Sequence, residues 1–152
     1  MGRREFTQIM QRSILKTSME QADCEALFSG ARRKNFDAGQ TIFSAGEIGD
    51  TVLMIESGRV EISVTLLSGR KSGLAHMGPT EVLGEIAALD GGTRSADAVA
   101  VGAVSGLVLS RQNILTFVAD RPKVAQAIIS ELCRKVRNAS DMFSIQSVPD
   151  GG

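Results

Sequence analysis

From Phe36 to about residue 110 the chain is built of short apolar runs broken by glycine: "QTIFSAGEIGD", "TVLMIESGRVEISVTLLSGRKSGLAHMG" and "AVAVGAVSGLVLS". The runs are rich in Val, Ile, Leu and Thr and recur about every 8–12 residues, with Ser-Gly turns at 57–58, 68–69 and 105–106. Such spacing leaves no room for long helices. It predicts an all-β sandwich or barrel of jelly-roll kind. Within it "VEISVTL" alternates, placing Val60, Ile62, Val64 and Leu66 on one face, and "SGRKSG" reads as a hairpin tip.

The flanks read as helix. In "TSMEQADCEALFSGARR", Ser18 and Gln21 have capping-box spacing, Met19, Ala22, Ala26 and Leu27 give an apolar face, and Gly30 interrupts near the end. At the other end Asp120 is a candidate cap, and Pro122 falls in the first turn. Ala125, Ile129, Leu132, Val136, Ala139 and Phe143 follow at alternating steps of four and three, a heptad seam, with Glu131 four residues before Lys135. Val124 and Ile128 form a second apolar strip. A helix with two strips can lie on its own barrel and on a partner helix together, so a homodimer through this helix is expected. The fold class is α+β, mainly β: a jelly-roll β-barrel (double-stranded β-helix) with N-terminal helices and a long C-terminal helix. Residues 1–35 form the helical segment, 36–118 the barrel, 119–146 the C-terminal helix and 147–152 a linker or tail.

Composition excludes several functions. The chain of 152 residues is long enough to bury roughly 68–70% of its unfolded surface. It has 17 basic and 17 acidic residues and no Trp or Tyr. Lacking a basic excess and stacking rings, this segment is not expected to bind DNA or RNA itself. Cys24 and Cys133 lie far apart in helical sequence and read as buried free thiols, with no metal or iron–sulfur motif. No run approaches 18 apolar residues, and "MGRREFTQIM" lacks the apolar core of a signal peptide, so a cytoplasmic protein without membrane contact is expected. His76 is the sole histidine and reads as a strand residue. "GEIGD" reads as a turn, and "RREF" and "ARRK" as solvated faces. No nucleophile–base set is visible, which speaks against an enzyme.

The stretch that carries chemistry is "LGEIAALDGGTRSADAV", residues 83–99. Gly84 to Leu89 can form one turn of helix whose free N–H groups face an anion, with Gly84 and Ala87 too small to obstruct it. Asp90-Gly91-Gly92-Thr93 loops the chain back so that Arg94 can return beside those amides and hold a phosphate through two parallel bonds. Glu85 would repel a phosphate but can accept from a sugar hydroxyl. Together these groups describe a site for a nucleotide with a compact, singly charged phosphate; a solvated or structural Glu-Arg pair is the alternative.

The same segment resembles the phosphate-binding cassette of the cyclic-nucleotide-binding domains, in particular the effector domains of CRP/FNR-type transcription regulators. "FDAGQTIFSAGEIGDTVLMIESGRVEI", "GLVLSR" before a helix and the long terminal helix extend the resemblance over nearly the whole chain. The resemblance implies that Arg94 pairs with the cyclic phosphate and that Glu85 accepts from the ribose 2′-hydroxyl. Amides around Ile86 and Ala87, with Gly84 beside them, would face phosphate or sugar, and Ser95 the phosphate or base edge. Ser140, with Asn138 and Ala139 as neighbours, falls near the purine in a dimer. Leu83, Thr80, Thr93 and Asp97 depart from the residues frequent in the family, and Asp97 would compete for Arg94 if it pointed inward. The implied function is cyclic-nucleotide sensing in a transcription regulator. Cyclic AMP is the expected ligand and cyclic GMP the alternative; no cofactor is expected. DNA would be reached through a helix-turn-helix domain that this chain does not contain, an ending read as a truncated regulator or a stand-alone domain. An interaction module that binds no nucleotide, and the regulatory domain of a channel or kinase, are the competing readings.

Overall fold

The computed structural model describes residues 13–147. The "RREF" cluster, the tail from 148 onward and the Phe143 side chain lie outside what it describes. Two short helices, α1 (Ile14–Ser18) and α2 (Gln21–Phe28), precede the strands β1 (Arg32–Phe36), β2 (Thr41–Phe43), β3 (Thr51–Ser57), β4 (Val60–Thr65), β5 (Lys71–Met77) and β6 (Val82–Leu83). A helix, α3 (Glu85–Asp90), then separates β6 from β7 (Asp97–Ala100) and β8 (Val104–Ser110). The chain continues in α4 (Arg111–Ala119) and α5 (Pro122–Ser147).

The strands form two four-stranded sheets, ordered β1-β8-β3-β6 and β2-β7-β4-β5, with every pairing antiparallel. This is the expected jelly roll with helices at both ends. One core lies between the sheets and includes Phe36, Phe43, Leu53, Ile55, Val60, Leu83 and Val104. The other lies between the helices and the outer face of the first sheet, where Ile14, Leu15, Phe28, Val52, Leu109, Ile114, Val124 and Ile128 meet. The central strand β3 is covered on both faces, Val52 under the helices and Leu53 toward the second sheet. That is why "TVLMIES" is a continuous apolar run.

Several sequence expectations need correction. Residues 32–35, assigned to the helical segment, are strand and pair with β8. Ser105-Gly106 is not a turn. It lies inside β8, where a Cβ on Gly106 would come within 2.5 Å of the Leu53 side chain, so glycine is there for close packing. The β4–β5 turn falls at 66–70, closed by Gly69 N–H to Leu66 O at 2.8 Å. The β4 alternation breaks after Ile62, where the register on β5 steps from Ala75 to Gly73. Ser63 is consequently buried and Leu66 exposed.

Ser18 ends α1 rather than capping α2, whose N-cap is Glu20. The buried residues of α2 are Leu27 and Phe28, while Ala22 and Ala26 are exposed. Asp120 is the C-cap of α4, although Pro122 does open α5. Both cysteines are free, but Cys133 is exposed and Cys24 only partly buried, its thiol pushed up chiefly by that burial. On α5 Val124 and Ile128 are buried against the domain, whereas Ile129 and Val136 are 61% and 65% exposed, leaving the seam open on the adjacent face. Glu131 pairs with Arg134 at 2.9 Å. Among the described residues no helix is long and apolar enough to cross a membrane.

Thr80, in the turn before β6, has φ +73, a left-handed conformation that disfavours a β-branched residue. The side chain is exposed. Thr80→Gly should therefore raise stability by about 1 kcal/mol, read as a higher urea midpoint at unchanged slope. An unchanged midpoint would mean that the turn holds no strain.

Candidate functional site

β6 delivers the chain into the cassette. Gly84 follows it at φ +81 and N-caps α3. A Cβ there would collide with Arg94 Nη1 and come within 2.8 Å of the Phe43 ring. The left-handed turn and the close approach both require glycine. From α3 the chain turns at Gly91-Gly92 and returns beside the loop before β3. Ile48 bridges to Thr93, Arg94 N–H donates to Glu47 O at 2.8 Å, and Gly46 N–H donates to Arg94 O at 2.8 Å. These backbone bonds fix where the Arg94 side chain starts.

The guanidinium lies flat on Phe43, 3.6 Å from the ring centroid. Nη1 donates to Gly84 O at 2.9 Å, and Nη2 to Thr51 O at 2.8 Å and to Thr51 Oγ1 at 3.1 Å. Charge-assisted bonds of this kind contribute about 1.5–3 kcal/mol each. Arg94 is only 6% exposed, its Nε is buried with no acceptor, and no salt bridge joins it to a carboxylate among the described residues. Burial pulls its pKa below the ordinary arginine value, partly offset by the more distant charges of Glu47 and Asp50. A buried cation held only by neutral oxygens is an incomplete arrangement, and an anion completes it.

Glu85 is buried too, at 7% exposed, and is directed elsewhere. Its Oε1 accepts from Ile14 N–H at 2.7 Å, and Oε2 from Leu15 N–H at 3.0 Å and from the Ser13 hydroxyl at 2.9 Å. The carboxylate thus receives the free donors at the start of α1. Desolvation raises its pKa above the ordinary 4.5, and these three bonds together with the charge of Lys135 on α5 act against that rise. Glu85 and Arg94 are not an ion pair, in keeping with separate roles.

Gly84, Glu85, Ile86, Ala87, Arg94 and Ser95 all border one cavity of about 240 Å³, completed by Phe43, Ile62, Met77, Val82, Leu83, Thr93, Ala96 and Ala98. Helix geometry leaves the Ile86 and Ala87 N–H groups without intrahelical acceptors. Ile86 is 51% exposed at the mouth and Ala87 is buried. Ser140 is not brought to the cavity; it lies on the exposed side of α5. Asp97 does not border the cavity either. Its Oδ1 accepts from Ala45 N–H at 2.8 Å and its Oδ2 lies 3.9 Å from Lys71 Nζ, so it does not compete for Arg94. Sequence reasoning missed Phe43, Thr51 and the Ser13–Leu15 segment. Thr51 is 43 positions from Arg94 and Ser13 is 72 from Glu85, distances at which no local pattern signals contact. No group of three or more His, Cys, Asp or Glu that could hold a metal exists among the described residues.

The fold is thus a jelly roll with a short helix and a buried arginine on the wall of its cavity. A family profile for the cyclic nucleotide-binding domain matches residues 33–121, and the chain belongs to that family. It is 29% identical over 134 residues to a CRP-like cAMP-activated global transcriptional regulator of Mycobacterium tuberculosis, covering 88% of this chain and 60% of that protein. It is 34% identical over 140 residues to the cyclic AMP receptor protein of Thermus thermophilus, covering 90% of this chain and 65% of that one. The chain thus spans less than two thirds of the length of these relatives. The crystal structure of the Thermus thermophilus catabolite activator protein superposes with a TM-score of 0.76 at 32% identity, over 89% of this chain and 63% of that one.

The raised Glu85 pKa has a testable sign. The native state binds this proton more readily than the unfolded chain, so the stability Glu85 contributes is greatest below the unfolded value of 4.5. It is lost as pH rises toward the folded value. The advantage of wild type over Glu85→Gln in urea melts should shrink as pH rises above the ordinary carboxylate value of 4.5. An advantage that grows with pH would mean that the hydrogen bonds, not burial, dominate.

Proposed function

We propose that this chain is the cyclic-nucleotide-sensing domain of a CRP-type transcription regulator, with cyclic AMP as its ligand. The observation that carries the reading is Arg94, a buried guanidinium with an unsatisfied Nε and no paired carboxylate among the described residues, on the wall of a cavity of about 240 Å³. A cyclic phosphate is singly charged and compact, and two of its oxygens match the guanidinium fork. The Ile86 and Ala87 amides supply further donors, Ser95 reaches phosphate or base edge, and Glu85 takes the ribose hydroxyl once it faces the cavity. The names of the relatives, a cAMP-activated regulator and a cyclic AMP receptor protein, support the same ligand.

The exposed seam Ile129, Leu132 and Val136 supports a homodimer through α5, in which Ser140 falls near the purine. DNA contact belongs to a helix-turn-helix domain outside this sequence, and a regulator of this kind acts in the cytoplasm. A second reading, an interaction module that binds no nucleotide, rests on both Glu85 oxygens being held by the start of α1.

Calorimetric titration with cyclic AMP and cyclic GMP separates the two readings. Binding is expected, and Arg94→Leu should weaken it at least about a hundredfold, since two charge-assisted bonds are lost. A melting curve verifies that the variant is folded. No binding by wild type at protein concentrations near a millimolar would favour the second reading. Val136→Glu should sediment as a monomer, and a persistent dimer would place the interface elsewhere.

A further inference from the structure

We propose that α1 regulates this site as an internal competitor: the start of α1 holds the carboxylate that a bound nucleotide needs, and the ligand gains Glu85 only as α1 lets go. The inference rests on the proposed function and adds a mechanism to it.

Both carboxylate oxygens are taken by the segment Ser13–Leu15, at 2.7 to 3.0 Å. Lone pairs remain, since a carboxylate can accept about four bonds. Access does not, because Glu85 is 7% exposed and Ile14 and Leu15 are fully buried around it. If the side chain swings into the cavity while α1 stays, the Ile14 and Leu15 N–H groups are left buried without an acceptor. Such donors are relieved by moving to water, which requires α1 to shift.

A shift of α1 does not remain local. The Lys16 ammonium donates to Thr80 O at 2.7 Å, fastening α1 to the turn before β6, the strand that leads into the cassette. Ile14 and Leu15 share a core with Val124 and Ile128 of α5, and α1 packs directly on α5. The positive charge of Lys135, also on α5, acts on Glu85. The carboxylate therefore stands between the ligand cavity and the helix that carries the open seam. Binding free energies are reciprocal: whatever nucleotide binding costs the α1 contact, the α1 contact costs nucleotide binding.

The test uses the 152-residue chain as wild type and as Ser13→Ala. The variant removes one bond to Glu85 and also the α1 N-cap, whose hydroxyl accepts from Lys16 N–H. Cyclic AMP should bind Ser13→Ala about fivefold more tightly than wild type. In wild type, saturating cyclic AMP should speed hydrogen exchange at the Ile14 and Leu15 amides. Binding by the variant but not by wild type would be the same result in stronger form. Equal or weaker affinity in Ser13→Ala, or unchanged exchange at both amides while cyclic AMP binds, would overturn the competition and leave the proposed function standing. No binding by either chain would overturn both.

Discussion

The site depends on placing one guanidinium charge inside the domain without giving it a carboxylate. Burying an unpaired cation is costly, and here neutral oxygens offset part of that cost: two backbone carbonyls, one hydroxyl and the face of a phenyl ring hold Arg94. These four groups come from three parts of the fold. Phe43 lies on β2, Thr51 begins β3 and Gly84 precedes α3. The jelly roll is what brings three such distant segments to one point, and it leaves the Arg94 Nε donor unsatisfied there.

Glu85 obeys the opposite logic. Its charge is also buried, yet all three of its hydrogen bonds come from one segment, the start of α1. The two members of the cassette are therefore wired to different places, Arg94 to the β-roll and Glu85 to the helices. α3 joins them. Its first residue carries the carboxylate, and the residue before it supplies a carbonyl to the arginine. A ligand that uses both groups acts on the roll and on the helical layer together.

α5 serves two surfaces. Val124 and Ile128 complete the helical core under α1, while Ile129 and Val136 remain exposed on the adjacent face. The same helix is thus in contact with the segment that holds Glu85 and free to meet a second helix. Motion at the cassette has a short route to that seam, through packed side chains rather than through a flexible linker.

Much of this was legible in the sequence because it is local. The strand rhythm, the short helix after Gly84 and the two strips of α5 follow from spacing, and the Glu85 and Arg94 cassette follows from a resemblance carried by contiguous residues. The failures were also local patterns, overruled by contacts. Ser105-Gly106 reads as a turn but packs against Leu53 in a central strand. Ser18 and Gln21 have capping spacing, yet the chain is extended at Met19 between two helices. Asp97 was ambiguous until its partners, Ala45 and Lys71, were placed. By itself the sequence determined which side chains form the cassette and on which element each sits, since periodicity and turn chemistry act over a few residues. Only the tertiary structure decided where those side chains point, because a buried charge takes its direction from whichever donors and acceptors the fold brings to it, and for Glu85 and Arg94 these lie 72 and 43 residues away.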